Sequence, residues 1–310
     1  MINISACIIT NNNPSVIKAI ESVYDSVSEI ILVNTCKEFT VDIFKFDKVR
    51  LFQFDWNDSF SDARNYGIEK AKGDWILVID SDEVANEKII YLDPKYDLYF
   101  AKVYNGNVPY DTLRIFKNNG MRYQWKLHES VEQYVTKDNT SYSDLTITHS
   151  GCQITGEELR QKVNRNLRIM LTDYGNPVRN FHLGLYYMYR ENYKKAIEYF
   201  LNVLNDEVNN EHKAHACNNA FRCFIELGTV QIDLIRQSLQ YFPMQRFARL
   251  ELVGSMLGTF KTYPDLKLKE LILTELEKIK TIDSRLNNDI ALDLHFINEK
   301  QKEIQQWHFQ

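Results

Sequence analysis

The feature that most constrains the fold is a change of hydrophobic periodicity near residue 150. Before it, short apolar runs alternate with segments of helical spacing; after it, helical spacing continues almost without interruption. Short apolar runs bounded by turn residues indicate strands, and a 3.6-residue spacing indicates amphipathic helices. The sequence therefore predicts an α/β domain at residues 1–152 followed by an all-α domain at residues 153–310.

The first half is predicted to begin in the order β-α-β-β-α-β. The strands are expected at residues 5–10, 29–34, 49–54 and 75–80, and the helices at residues 14–24 and 59–72. This alternation predicts a mainly parallel sheet whose ligand site lies beyond the carboxyl ends of the strands. Strand-like runs at 98–104, 113–116 and 145–149, with no clear helix between them, predict an antiparallel extension of that sheet.

The second half contains one pattern that is typical of a tetratricopeptide repeat. Helices are predicted at residues 157–174, 178–191, 193–204 and 212–227, and further segments follow. The residues at repeat spacing are Leu183, Gly184, Tyr187, Tyr193, Ala196 and Phe200. In such repeats small residues let two antiparallel helices touch while large ones fill the gaps. An unrelated helical bundle is the alternative interpretation.

Charge and hydropathy argue against several classes of protein. The chain has 37 Lys and Arg against 42 Asp and Glu, so no overall basic field would attract nucleic acid or anionic lipid. No stretch approaches the roughly 20 apolar residues of a membrane-spanning helix, and the N-terminus enters a strand instead of a signal peptide. The five cysteines are widely spaced and lack a CxxC pair, which favours the reducing cytoplasm.

The sharpest chemical motif follows the fourth predicted strand. Five apolar residues lead into Asp80 and Asp82, which places two carboxylates at the end of a buried strand. Carboxylates in this position can hold a hard divalent cation and leave its other positions open to phosphate oxygens. The preceding helix offers Arg64 and Asn65 in its first turns, where they could face a diphosphate. The alternative for Arg64 is an ion pair with a surface acid.

At these residues the chain resembles the family-2 glycosyltransferases of the GT-A fold. The matching motifs lie at residues 8–12, 29–34, 61–65, 79–83, 113–116, 127–129 and 147–151. The resemblance continues through residues 162–167 into the repeat around Gly184, as in the branch that joins this catalytic domain to tetratricopeptide-like helices. Within that branch the chain most resembles the glycocin-type peptide glycosyltransferases.

The resemblance implies a nucleotide-sugar donor, expected to be UDP-linked, and a divalent Mg or Mn ion. It implies that Asp80 contacts the donor ribose or the metal, that Asp82 binds the metal, and that Arg64 contacts the donor. His149 matches a position where an imidazole could complete the metal site, and a hydrogen-bonded histidine at a sheet edge is the alternative. Other donor contacts are expected at Thr10, Asn12, Asn34, Asn65 and Ser81.

An inverting sugar transfer needs a base within hydrogen-bond reach of the attacking hydroxyl or thiol. The resemblance implies that Glu129 and His128 lie in a loop beside the acceptor. Glu129 is the expected base, and His128 and Asp111 are the alternatives. One member of the His-Glu pair could instead only brace the acceptor loop.

The leading hypothesis is a metal-dependent inverting glycosyltransferase that moves a hexose to a Cys, Ser or Thr side chain of a ribosomal peptide. Repeat helices form a concave surface suited to peptides, which favours that acceptor over a cell-surface glycan precursor. The helical domain could also form a homodimer. A second hypothesis is a non-catalytic adaptor with a degenerate GT-A domain, because Asn34 stands where family members usually have an acid. Its amide could still bond a uracil edge.

Overall fold

The computed structural model describes residues 2–88, 91–106, 108–149, 155–262, 265–282 and 294–305. The chain divides into two compact units, Met1–Asn176 and Pro177–Gln310. The helix Gly156–Thr172 groups with the first unit, although it lies within the predicted helical domain. The predicted domain boundary at 152/153 falls outside the described residues and stays a prediction.

The first unit contains eight strands and three α-helices among the described residues. The strands are β1 (Ile4–Thr10), β2 (Glu29–Asn34), β3 (Val49–Gln53), β4 (Trp75–Val78), β5 (Glu83–Ala85), β6 (Leu98–Asn105), β7 (Val108–Lys117) and β8 (Thr140–His149), and the helices are α1 (Val16–Val23), α2 (Phe60–Lys70) and α3 (Gly156–Thr172). The predicted order β-α-β-β-α-β is confirmed.

The strands form one mixed sheet in the order β3-β2-β1-β4-β7-β6-β8-β5. The pairs β3–β2, β2–β1 and β1–β4 are parallel, and β7 joins β4 antiparallel. The expected antiparallel extension is correct for β7–β6 but wrong for β6–β8, which is parallel, and β8 pairs antiparallel with β5. The chain reverses once into β7 and again before β8, so β6 and β8 run in the same direction. The short strand β5 was not predicted.

Apolar residues cover both faces of the parallel part of the sheet, as buried parallel sheets require. Alternate residues of β1 and β2 point to opposite sides, so that Ile8 and Leu32 belong to one core and Ile31 and Val33 to the other. The helix α2 begins at a Ser59 N-cap, whose hydroxyl accepts a hydrogen bond from the amide of Asp62 at 3.2 Å. This cap fixes where the helix that carries Arg64 starts.

The described part of the second unit is helical. Its α-helices are α4 (Arg179–Tyr189), α5 (Tyr193–Asn202), α6 (Asn210–Glu226), α7 (Ile232–Tyr241), α8 (Arg246–Thr262), α9 (Leu266–Thr281) and α10 (Leu294–Gln305). Consecutive helices pack against each other. Gly184 of α4 lies so close to α5 that an added Cβ would sit 2.6 Å from the Phe200 ring. This is the contact of a small residue with a large one that the repeat pattern predicts.

Within the residues that the structure describes, no helix has both the length and the apolar character needed to cross a membrane.

Candidate active site

The candidate site lies at the carboxyl edge of the parallel strands. Thr10 and Asn34 end the neighbouring strands β1 and β2 and pair with each other in register. Asp80 follows the next strand, β4, by two residues. Because parallel strands all end at the same edge, these three side chains are brought to one side of the sheet. Arg64 of α2 and Glu129 of the loop after β7 join them there.

Arg64 connects the two carboxylates to which separate roles were assigned. Its Nη2 donates to Asp80 Oδ1 at 2.7 Å, and its Nε donates to Glu129 Oε1 at 2.7 Å. The side chain is buried, and its guanidinium carbon lies 5.5 Å from the centre of the Tyr123 ring. Arg64 therefore pairs with two carboxylates of the site and not with a surface acid.

The charges of this cluster keep one another ionised. Burial alone would lower the pKa of Arg64, but Asp80 and Glu129 outweigh it and raise that pKa. Burial would likewise raise the pKa of Asp80, but Arg64 and Arg114 lower it to about 2. Arg64 Nη1 has no hydrogen-bond partner among the described atoms. A buried donor without a partner calls for a water or a ligand, and an anionic oxygen fits it.

Glu83 and Arg114 also belong to the cluster, although neither was assigned a role from the sequence. Arg114 Nη2 donates to Glu83 Oε1 at 2.6 Å, and the amide of Asp80 donates to Glu83 Oε2 at 2.8 Å. A signal was present in the sequence, since a charged residue inside the apolar run 113–116 must find a buried partner. The sequence did not indicate which partner it finds.

Asp82 and His149 lie together, as a shared metal site requires. His149 Nε2 is 3.2 Å from Asp82 Oδ2, because β5 pairs with β8 and places Glu83 opposite His149. Asp80 instead directs its carboxylate toward Arg64. Among the described residues, no group of three or more His, Cys, Asp or Glu side chains is arranged to hold a metal. The remainder of the motif at 147–151 lies outside the described residues from position 150 onward.

Three of the residues expected to contact the donor lie at or just after the ends of β1 and β2. Asn34 is buried; its amide nitrogen donates to the Cys36 carbonyl and to Gln53 Oε1 at 2.7 and 2.8 Å, so it organises the turn that follows β2. Thr10 is also buried, and its hydroxyl has no partner among the described atoms. Asn12 has a φ of +66° and holds Thr40 through its side-chain oxygen.

The side chain of Asn65 bonds the backbone of Tyr123. Its amide nitrogen donates to the carbonyl of Tyr123 at 2.9 Å, and its oxygen accepts from the Tyr123 amide at 2.8 Å. Both ends of the Asn65 amide are thus bonded to the backbone of Tyr123, in the segment that leads to Glu129, and its contact with a donor diphosphate stays a prediction. The carbonyl of Ser81 accepts from the hydroxyl of Ser15, the residue that precedes α1, at 2.7 Å, and the donor contact of Ser81 stays a prediction.

The two alternative bases lie in different surroundings. His128 neighbours Glu129 and has a φ of +56°. Its surface is exposed, yet protein atoms around the imidazole desolvate it. This desolvation lowers the pKa of His128, although the negative charges of Glu129 and Asp173 would raise it. Asp111 is exposed on β7 opposite Lys102. It lies three residues from Arg114, which is about 10 Å along a strand.

The strand-rich part of the chain matches a known protein family. Residues 5–156 match the family described as Glycosyl transferase family 2, so this part of the chain is similar to the domain of that family. The chain is 27% identical over 258 residues to the SPbeta prophage-derived glycosyltransferase SunS of Bacillus subtilis, with the same values for glycosyltransferase SunS of Bacillus phage SPbeta. These alignments cover 76% of this chain and 59% of each relative. The chain thus spans less than two thirds of the length of those proteins.

The chain also resembles a repeat protein in sequence and a solved structure in fold comparison. A TPR repeat-containing protein of Synechococcus elongatus is 35% identical over 145 residues, covering 43% of this chain and 36% of that protein. The solved structure of S. aureus TarS 1–349 is 13% identical with a TM-score of 0.36, and the alignment covers 98% of this chain and 89% of that chain.

Proposed function

We propose that this chain is a metal-dependent inverting glycosyltransferase that moves a hexose from a nucleotide sugar, with UDP as the nucleotide. The observation that carries the proposal is the bridge that Arg64 makes between Asp80 and Glu129. Sugar transfer needs a donor-binding group and an acceptor base within a few ångströms of one reacting carbon. The Arg64 guanidinium bonds both Asp80, the proposed donor contact, and Glu129, the proposed base, and this supports that arrangement.

On the donor side, the nucleotide would occupy the carboxyl edge of β1, β2 and β4. The turn that Asn34 organises would receive the nucleobase, and Asp80 would contact the ribose. The unpartnered Nη1 of Arg64 is the group available to a phosphate oxygen. Arg64 is buried and keeps its charge, so it can offset the negative charge that develops on the leaving diphosphate.

The side chains present fit a divalent cation whose coordination is completed by the donor. Asp82 and His149 supply a carboxylate oxygen and an imidazole nitrogen 3.2 Å apart, and both atom types bind Mn²⁺. Ions of this class often use one or two protein ligands together with substrate phosphates. When bound, the ion would neutralise charge on the diphosphate.

Glu129 is the proposed base that acts on the acceptor. In the proposed step its carboxylate takes the proton of the acceptor hydroxyl or thiol while that oxygen or sulfur attacks the anomeric carbon. The bond from the anomeric carbon to the diphosphate oxygen breaks, and the nucleoside diphosphate leaves with the electron pair. Arg64 fixes one oxygen of Glu129 at 2.7 Å, so the proton would be accepted by the other oxygen. His128 and Asp111 remain the alternatives.

We further propose a peptide as the acceptor, modified at a Cys, Ser or Thr side chain. The support is the hairpin of α4 and α5, in which Gly184 meets Phe200 as in a tetratricopeptide repeat. Helical repeats of this class present extended concave surfaces that take up peptides. A glycan precursor as acceptor would not need such a surface.

The experiment is nucleotide release from UDP-, GDP- and TDP-hexoses with Mn²⁺ or Mg²⁺, comparing the wild type with Asp82→Asn. We expect one donor to be hydrolysed slowly by the wild type, and the variant to be at least about 100-fold slower because a metal ligand is lost. Asp74→Asn is the matched control, since Asp74 is exposed and immediately precedes β4, at the end of that strand away from Asp80. An active Asp82→Asn would remove the metal assignment. No release from any donor would favour the adaptor.

A further inference from the structure

Glu83 and Arg114 form a buried ion pair that the proposed reaction does not use. Their side chains are 2% and 10% exposed, and Arg114 Nη2 lies 2.6 Å from Glu83 Oε1. Replacing a buried ion pair of this kind with apolar residues is often neutral or stabilising. Its presence beside Asp80 therefore points to a role other than stability.

The pair holds both the backbone and the charge of Asp80. Glu83 Oε2 accepts from the amide of Asp80 at 2.8 Å, and the amide of Glu83 donates to the carbonyl of Asp80 at 3.0 Å. These two bonds close the turn of residues 80–83 from both ends. Arg114 Nη1 lies 3.9 Å from Asp80 Oδ2, so the guanidinium also faces the carboxylate itself.

Glu83 has a third connection, through the sheet. It is the first residue of β5 and lies opposite His149 of β8. Because β5 has only three residues, few backbone hydrogen bonds to β8 hold it in place. The side-chain bonds of Glu83 to Arg114 and to the Asp80 amide hold it further. The position of Glu83 thus sets how Asp82, one residue earlier, meets His149.

We propose that Glu83 and Arg114 are positioning residues that hold the turn of residues 80–83 in the form that brings Asp82 and His149 to one metal-bound diphosphate. This inference rests on the proposed function and extends it to two residues that do not touch the substrate. Outer partners that orient metal ligands commonly change metal affinity by 10–100-fold when they are substituted. Glu83 and Arg114 would act in this way on Asp82.

The experiment is calorimetric titration of the full chain with UDP, GDP and TDP, with and without Mn²⁺. Glu83→Gln keeps an acceptor for the Asp80 amide but removes the charge that pairs with Arg114. We expect its affinity for the Mn²⁺-bound nucleotide to fall at least about tenfold. Its affinity for the metal-free nucleotide should stay within about twofold, since no nucleotide contact is removed.

The matched control is Glu275→Gln, which removes a charge from another buried pair, that with Arg249 in the second unit. Both variants are expected to lower the thermal unfolding midpoint, but only Glu83→Gln should lose the Mn²⁺-dependent affinity. If Glu83→Gln does not fold, Arg114→Lys is titrated instead with the same expectation, because lysine cannot reproduce the guanidinium fork.

The outcomes separate the inference from the proposed function. A wild type that binds a nucleotide with Mn²⁺ and a variant that binds it equally well would refute the positioning role alone. A wild type whose nucleotide affinity does not depend on Mn²⁺ would refute the metal part of the proposed function and this inference together.

Discussion

The two units differ in how far apart in the sequence their contacting residues lie. In the first unit the site joins residues distant in the chain: Arg64 reaches Glu129 across 65 positions, and His149 reaches Asp82 across 67. In the second unit the described helices pack mainly on their sequence neighbours, as Gly184 does on Phe200.

This difference indicates which property a substitution in each unit should change. The site depends on polar contacts that several elements supply at once, so losing one group should change chemistry more than folding. The helical unit depends on close packing between neighbours, so its substitutions should change stability through added or lost volume. The following predictions test that distinction.

The largest effect is expected at Glu129. We expect Glu129→Gln to lower kcat by about 10²- to 10⁴-fold, because the base is lost while a hydrogen-bond acceptor for Arg64 is kept. Nucleotide affinity should stay within about twofold, since Glu129 acts on the acceptor. The measurement is transfer kinetics together with nucleotide titration.

The matched control for this variant is Glu132→Gln in the same loop, where the side chain is exposed. It should behave as the wild type. If Glu129→Gln lost nucleotide binding as well, Glu129 would belong to the donor site, and His128 or Asp111 would become the leading base.

A smaller effect, on stability only, is expected at Gly184. An alanine Cβ would come within 2.6 Å of the Phe200 ring. Gly184→Ala should therefore lower the free energy of unfolding of the second unit by about 1–3 kcal/mol, as overpacking does. Urea denaturation followed by circular dichroism measures this change.

Gly254→Ala is the control, because Gly254 lies in α8 and an added Cβ would meet no atom within 4 Å. It should stabilise the helix by about 0.5–1 kcal/mol through helix propensity. Equal signs for the two glycine variants would contradict close packing of α4 on α5.

The smallest effect concerns the pH dependence of stability at His128. Desolvation lowers the pKa of this imidazole in the folded chain below its ordinary value of 6.5, although Glu129 and Asp173 oppose the shift. In the window from 6.5 down to the lowered value the unfolded chain binds more protons, so stability must fall as the pH falls. Solvent screening of the exposed residue keeps the effect small.

The measurement compares the wild type with His128→Asn, since asparagine tolerates the φ of +56° at this position. We expect the wild type to lose more unfolding free energy than the variant between pH 7 and 5.5, and the two profiles to run parallel near pH 8. A wild type that gains stability on acidification relative to the variant would show that the carboxylates dominate over desolvation.

Much of the fold was predictable from local pattern. The first four strands and both intervening helices were predicted within a few residues of their observed bounds. Strand β5 was missed because three residues after an acidic turn carry too little periodicity to distinguish strand from loop. The parallel pairing of β6 and β8 was missed because it depends on the path of the chain between residues 118 and 139.

For the site, the sequence singled out candidate residues but did not indicate how they pair. Arg64, Asp80 and Glu129 were singled out, whereas their bonds to one another were not. Asn65 was expected to contact a ligand, yet it bonds the backbone of Tyr123. An amide serves either role equally well, so residue type alone did not distinguish them.

The sequence by itself therefore determined the type and order of most elements, the helical character of the second half and the set of candidate site residues. These properties follow from periodicity and residue chemistry, which act over a few neighbouring positions. Only the tertiary structure decided that Arg64 bridges Asp80 and Glu129, and that Glu83 pairs with Arg114 and accepts from the amide of Asp80. Ion pairs across 16 to 65 positions depend on strand order and loop path, which bring together side chains that no local spacing connects.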